Sequence, residues 1–117
     1  MRHYMSLTPE PYEMIKNGDK TIELRLNDEK RSFIRIGDMI EFTHTSNHTN
    51  KMEVIVMNLY QYHTFEALYD NLPLDQCGYD KSNIRDASPD DMLKYYSKEQ
   101  QIIHGVLGIE IKFVREL

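Results

Sequence analysis

The stretch Gly18-Asp19-Lys20-Thr21-Ile22-Glu23-Leu24-Arg25-Leu26 carries an apolar and a charged pattern of the same period in the same few residues. Successive side chains of a strand point to opposite sides, so Ile22, Leu24 and Leu26 share one face while Thr21, Glu23 and Arg25 share the other. The aliphatic face is expected to join the core. The charged face, with Lys20 at the turn before it, has two readings. One is a solvated surface on which such pairs contribute about 0–1 kcal/mol. The other is the edge of a cleft, where the lysine and arginine hold a phosphate or carbonyl oxygen and Glu23 orients a donor or moves a proton.

The flanks frame this strand. His3 to Leu7 reads as a short strand, and Thr8-Pro9 as a helix N-cap followed by proline at the first helical position. Tyr12, Ile15 and Lys16 then recur at helical spacing over Pro9 to Asn17, and Gly18 stands where a left-handed C-terminal residue is wanted. After the charged linker NDEKRSF, Ile34 and Ile36 alternate with Arg35, and Gly37-Asp38 marks a turn before the strand MIEF. The polar loop THTSNHTNK leads to MEVIVMNLYQY, whose β-branched content predicts a central strand.

From Thr64 the period changes. Phe65, Leu68, Tyr69 and Leu72 lie at helical spacing, with Thr64 as N-cap and Pro73 as the stop. The segment LDQCGYDKSNIRDASPDD is rich in turn formers and reads as a long excursion. It ends where Ser88, Pro89 and Asp91 match a capped helix start. Ser97 restarts a helix that Gly105 ends, and VLGIEIKFV closes the pattern as a strand with Val106, Ile109, Ile111 and Phe113 available for burial. Strands at the start, middle and end, without a regular βαβ rhythm, predict an α+β, barrel-like fold of mixed strands with short helices around it.

Length and composition set the bounds. The 117 residues suit one domain, and 40% hydrophobic with 28% charged residues is the profile of a folded globular chain. A net charge of −5 opposes a surface that clings everywhere to phosphate, so a nucleic-acid role needs a local patch. Lys30, Arg31 and Arg35, interleaved with Phe33 and joined by Lys20 and Arg25, supply one in the N-terminal third, whereas Glu66, Asp70, Asp75, Asp80, Asp86, Asp90 and Asp91 weight the second half negative. A surface laced by Asp28, Glu29 and Lys30 is the alternative to that patch. A lone cysteine, Cys77, excludes an internal disulfide and a cysteine-based zinc site, and is read as inert. His44 and His48 sit in a polar loop without the carboxylates or cysteines that complete a tetrahedral set, so no metal and no cofactor are expected. No apolar run approaches the roughly 20 residues of a membrane helix, and a cytoplasmic protein is expected.

GDKTIELR fits the pattern G-x-K-x-x-E-x-R. Together with IRIGDMIEF, FEALYDNLPL and the ending YYSKEQQIIHGVLGIEI, it resembles the ASCH domain, a relative of the PUA domain, over nearly the whole chain. The resemblance implies a single PUA-like domain over residues 1–117, a small mixed β-barrel with short helices around a cleft. It implies a partner that is RNA or a nucleoside-like small molecule. The motif residues lining that cleft would be Gly18, Lys20, Glu23 and Arg25; with the neighbouring Thr21 and with Arg31 of the basic cluster they make the expected ligand-binding set. Some ASCH-like proteins are instead amidohydrolases of N(4)-acetylcytidine, using a lysine, a threonine three residues later and a downstream glutamate; Lys20 matches the lysine, Glu23 occupies the threonine position, and Glu66, Asp70 and Asp75 are the candidates for the downstream acid. Ribonuclease activity is a related enzymatic alternative. In either, Lys20 and Glu23 would be the catalytic pair.

Overall fold

The computed structural model describes all 117 residues. Its elements are β1 (Arg2–Leu7), α1 (Pro9–Asn17), β2 (Ile22–Leu26), α2 (Glu29–Ser32), β3 (Met39–His44), β4 (Lys51–Tyr62), α3 (Phe65–Asn71), α4 (Lys98–His104) and β5 (Val106–Glu116). Three short 3-10 turns, Leu74–Gln76, Ile84–Asp86 and Pro89–Lys94, occupy the excursion between α3 and α4. No helix is long and apolar enough to cross a membrane.

The strands form one sheet in the order β1-β3-β4-β5-β2, with β1 parallel to β3 and every other pair antiparallel. The β-branched segment is the central strand, as its composition predicts. β1 and β2 are therefore the two edges, yet the Arg25 guanidinium on β2 donates to the Ser6 carbonyl on β1 at 2.8 Å. Edges of an open sheet come within one side chain of each other only if the sheet curls. The expected α+β barrel is thus a half-barrel, left open between β1 and β2.

Strand alternation assigns the two faces. On β5, Leu107, Ile109 and Ile111 join Met5, Ile15, Phe42 and Val54 in the inner core, whereas Val106 joins Phe65, Leu68, Ile22, Leu24 and Leu26 in the outer one. Gly108 lies between them because a Cβ there would sit 2.8 Å from Leu72 Cδ1; its absence lets the α3 end pack against the sheet. Glu23 and Arg25 pair across from Ile109 and Leu107, so the charged face of β2 looks into the half-barrel rather than out to water.

Three local expectations differ from the structure. Ile34 and Ile36 do not form a strand: Ile34 is buried in the inner core while Ile36 is 63% exposed, on a turn closed by the Asp38 amide donating to Arg35 O. The linker NDEKRSF contains α2, whose N-terminus Asp28 caps by accepting from the Arg31 amide. Short polar capping signals inside a charged stretch were outweighed by its composition. Thr64 caps α3 through the Ala67 amide as expected, but Thr8 makes no side-chain cap at α1.

Candidate functional site

The spacing G-x-K-x-x-E-x-R has a local cause at each position. Gly18 adopts φ 88°, a left-handed conformation that costs an L side chain energy, and its amide donates to Ile15 O. The Lys20 amide then donates to Met14 O at 3.0 Å, fixing the lysine backbone to the last turn of α1. Its side chain returns over β2, where Nζ donates to Glu23 Oε1 at 2.7 Å. Arg25, two residues on and hence on the same face, donates through Nε to Glu23 Oε2 at 2.8 Å. Gly78, at φ 108°, walls the lysine stem: a Cβ there would meet Lys20 Cδ at 3.4 Å.

These three charges are withdrawn from water, with Glu23 4% exposed and the Lys20 and Arg25 side chains 10% and 14% exposed. Burial alone pushes the Glu23 carboxyl up, but the charges and hydrogen bonds of Lys20 and Arg25 outweigh it and hold the group at about 2. Arg25 in turn is raised: burial lowers it, and the Glu23 carboxylate together with the Tyr96 hydroxyl more than offsets this. The set is a carboxylate clamped between two cations.

It stands in a cleft of about 590 Å³. One wall comes from the end of β1 and from α1, including Ser6, Thr8 and Met14; the other comes from the excursion, including Tyr79, Tyr95 and Tyr96. The excursion is held in place by a hydrogen-bonded chain. Tyr69 and Tyr79 share a 2.7 Å bond between hydroxyls, Tyr79 donates to Asp91 Oδ2 at 2.7 Å, and the Ser88 amide donates to the same oxygen. Asp91 thereby closes the capping box read in the sequence while serving as the anchor of a cleft wall. Burial, aided by the bond to Asp91, pushes the Tyr79 hydroxyl well above the usual phenol range.

Of the six expected ligand-binding residues, Lys20, Glu23 and Arg25 line this cleft. Gly18 shapes the turn behind it. Thr21 binds the excursion, its hydroxyl donating to Gln76 Oε1 and its amide to Gln76 O. Arg31 does not line the cleft; its guanidinium pairs with Asp28 at 2.7 Å on α2. The expected separation of a basic from an acidic half does not hold at the site, because Asp86 and Asp91 are brought to the cleft that holds Lys20 and Arg25. Cys77 also lines it, buried, with burial pushing its thiol up to about 11; it is neutral at pH 7. Met14, Lys94 and Asp91 carried no ligand-binding signal in the sequence, since each sits in a helix or capping pattern that accounts for it locally.

A family model for the ASCH domain matches residues 5–115.

The chain belongs to the ASCH family.

Solved structures agree with the fold. The crystal structure of hypothetical protein PH0355 is 28% identical, with a TM-score of 0.79, and the match covers 97% of this ASCH chain and 100% of that one. The solution structure of PF0455 from Pyrococcus furiosus is also 28% identical, at a TM-score of 0.73, covering 98% and 99% of the two chains. A Ser-to-Ala mutant of ZmASCH from Zymomonas mobilis shares the fold alone, at 14% identity and a TM-score of 0.66, over 97% of this chain and 71% of that one. A comparison with curated proteins gives no match.

Proposed function

We propose that the cleft binds a nucleobase, presented as a nucleoside or by single-stranded RNA, through Lys20 and Arg25 on its carbonyl oxygens and Glu23 on an N–H edge. The observation that carries this reading is the clamped Lys20-Glu23-Arg25 set inside an aromatic-walled cleft. A lysine ammonium has three donors and a guanidinium five, so the bonds to Glu23 leave donors for a ligand. The volume lies in the usual range for small-molecule sites, and Tyr95 at the mouth is 58% exposed, with Lys94 over its ring.

Charge balance favours the base over the phosphate. The cleft lining carries four carboxylates, Glu10, Glu23, Asp86 and Asp91, against three cations, Lys20, Arg25 and Lys94. A dianionic phosphate meets no net positive field there, whereas a neutral planar ring with donor and acceptor edges suits the mixture.

Hydrolysis is the weaker reading. A carboxyl held at about 2 is a poor general base near neutral pH, the Thr21 hydroxyl is engaged with Gln76, and the Cys77 thiol stays protonated. The test is titration of the protein with ribonucleosides and their 5′-monophosphates, followed by NMR shifts and calorimetry. Nucleosides are expected to bind as well as the monophosphates, and Tyr95→Ala to weaken both roughly fivefold or more without changing the melting temperature. Binding that depends on the phosphate, or no binding, overturns the reading. Turnover of N(4)-acetylcytidine that disappears in Lys20→Ala would establish the hydrolase instead.

A further inference from the structure

Each member of the Lys20-Glu23-Arg25 clamp has a single hydrogen-bonding polarity. Lysine and arginine side chains donate and cannot accept, and an ionised carboxylate accepts and cannot donate. None of the three can turn over to suit a different ligand, as a hydroxyl or a side-chain amide does. Glu23, held at about 2 by its neighbours, keeps its acceptor role throughout the neutral range.

Their order is fixed as well. Lys20 Nζ sits on Glu23 Oε1 at 2.7 Å, and Arg25 sits on Oε2 through Nε at 2.8 Å and Nη2 at 2.7 Å. The carboxylate therefore stands between the two cations. The bonds already made show what stays open. An ammonium has three donors and Lys20 places one on Glu23, so two remain. A guanidinium has five; Arg25 uses its donors on Glu23, on the Ser6 carbonyl at 2.8 Å and on the Tyr96 hydroxyl, which leaves at least one. A carboxylate offers about four acceptor sites, and the donors that reach Glu23 leave one of them. All three residues line the cleft, so its open array reads donor, acceptor, donor. Tyr96, beside Arg25, lies nearly parallel to Phe65 with ring centroids 6.2 Å apart, which fixes that end of the array against the outer core.

We infer that the cleft selects an imide edge, an N–H flanked by two carbonyl oxygens, and so takes uracil-type rings in preference to cytosine, adenine or guanine. The inference rests on the reading of the cleft as a nucleobase site and adds which base edge it takes. An imide presents acceptor, donor, acceptor, the complement of the array at every position. Cytosine and adenine bring a ring-nitrogen lone pair to the carboxylate and an amino group to a cation. Guanine matches with its carbonyl and ring N–H but turns its amino group on the second cation. With Glu23 only 4% exposed, water does not repair such a mismatch, and a buried polar group left unpaired is what makes a hydrogen-bonding site selective.

The test titrates wild type with uridine, cytidine, adenosine, guanosine and 3-methyluridine, followed by NMR shifts and calorimetry. 3-Methyluridine keeps the ring and both carbonyls and replaces only the imide hydrogen. Uridine is expected to bind roughly tenfold or more tighter than cytidine, adenosine and 3-methyluridine, with guanosine between. Glu23→Gln puts an amide that can also donate in place of the fixed acceptor, and is expected to narrow the ratio of uridine to cytidine affinity; its melting temperature is recorded alongside. Should that variant fail to fold, the 3-methyluridine comparison on wild type decides by itself. Cytidine or 3-methyluridine bound as tightly as uridine, or an unchanged ratio in folded Glu23→Gln, overturns the imide preference and leaves the nucleobase reading standing. Absence of binding by every nucleoside overturns both.

Discussion

The molecule clamps a glutamate between two cations twice, and the two clamps differ in what surrounds them. Glu23 is held by Lys20 and Arg25 at the opening of the half-barrel. Glu53 is held by Arg2 and Arg115 elsewhere on the sheet, with Glu41 also bonded to Arg2. The second clamp joins β1, β3, β4 and β5. Glu41 and Glu53 face each other directly across β3 and β4, an arrangement that repels, and Arg2 bridges the two. Its role is explained by strand pairing, and its Arg115 arm is 65% exposed. The first clamp joins no row of strands. All three of its members come from one strand and the turn before it, and they face a cavity. Identical chemistry is thus a stitch in one place and a candidate binding site in the other, and concavity separates the two.

The sharpest way to break this comparison is to remove each carboxylate. Glu23→Ala leaves two buried cations without a counter-charge and is expected to destabilise the fold by about 3–5 kcal/mol, measured by urea denaturation at neutral pH. Glu53→Ala should cost clearly less, because Arg115 and Arg2 regain water. Equal losses would mean that the cleft clamp is as solvated as the sheet clamp.

Acid sharpens the contrast. The Glu23 carboxyl sits at about 2 in the fold against an ordinary value of 4.5, so its contribution is fully present above about 4.5 and is lost as pH falls toward about 2. That difference corresponds to about 3 kcal/mol. Asp38, held at about 2 by its bond from His3 with help from the Arg35 amide, loses its contribution in the same window. Stability measured between pH 5 and pH 2 should therefore fall steeply in wild type and less steeply in Glu23→Gln. Parallel curves would show that the clamp does not hold the carboxyl down.

The smallest effect belongs to the exposed arm. Arg115→Ala is expected to cost about 0–1 kcal/mol, shrinking further in high salt as screening removes what attraction remains. A larger, salt-insensitive loss in thermal or urea melts would place Arg115 among the structural cations instead.

Much of the fold was legible because it rests on local rules. Alternation gave β2 and its two faces, Gly18 gave the sharp end of α1, Thr64 gave the start of α3, and the β-branched run gave the central strand. Legibility failed where a local pattern had two solutions. Ile34-Arg35-Ile36 alternates like a strand, but only Ile34 found a core to enter. Arg31 belonged to a basic cluster by sequence, yet Asp28, three residues before it on the same helical turn, captures it. At the site, Lys20, Glu23 and Arg25 were readable as one face. Tyr79, Asp91 and Tyr95 were not readable as the opposite wall, because more than fifty residues separate them from β2 and nothing local records the approach.

The sequence by itself determined that Glu23 and Arg25 would share one face of a strand with Lys20 at the turn before it, since strand alternation sets the first two and the glycine-terminated helix ends just ahead of the third. Only the tertiary structure decided that they meet in a cleft. The curl that turns the charged face of β2 inward and the excursion that roofs it are products of long-range packing: Gly108 yielding to Leu72, Arg25 reaching the Ser6 carbonyl, and Tyr79 tied to Asp91. Burial of Glu23 is a property of those distant contacts, whereas the charge it keeps there is held by Lys20 and Arg25 themselves.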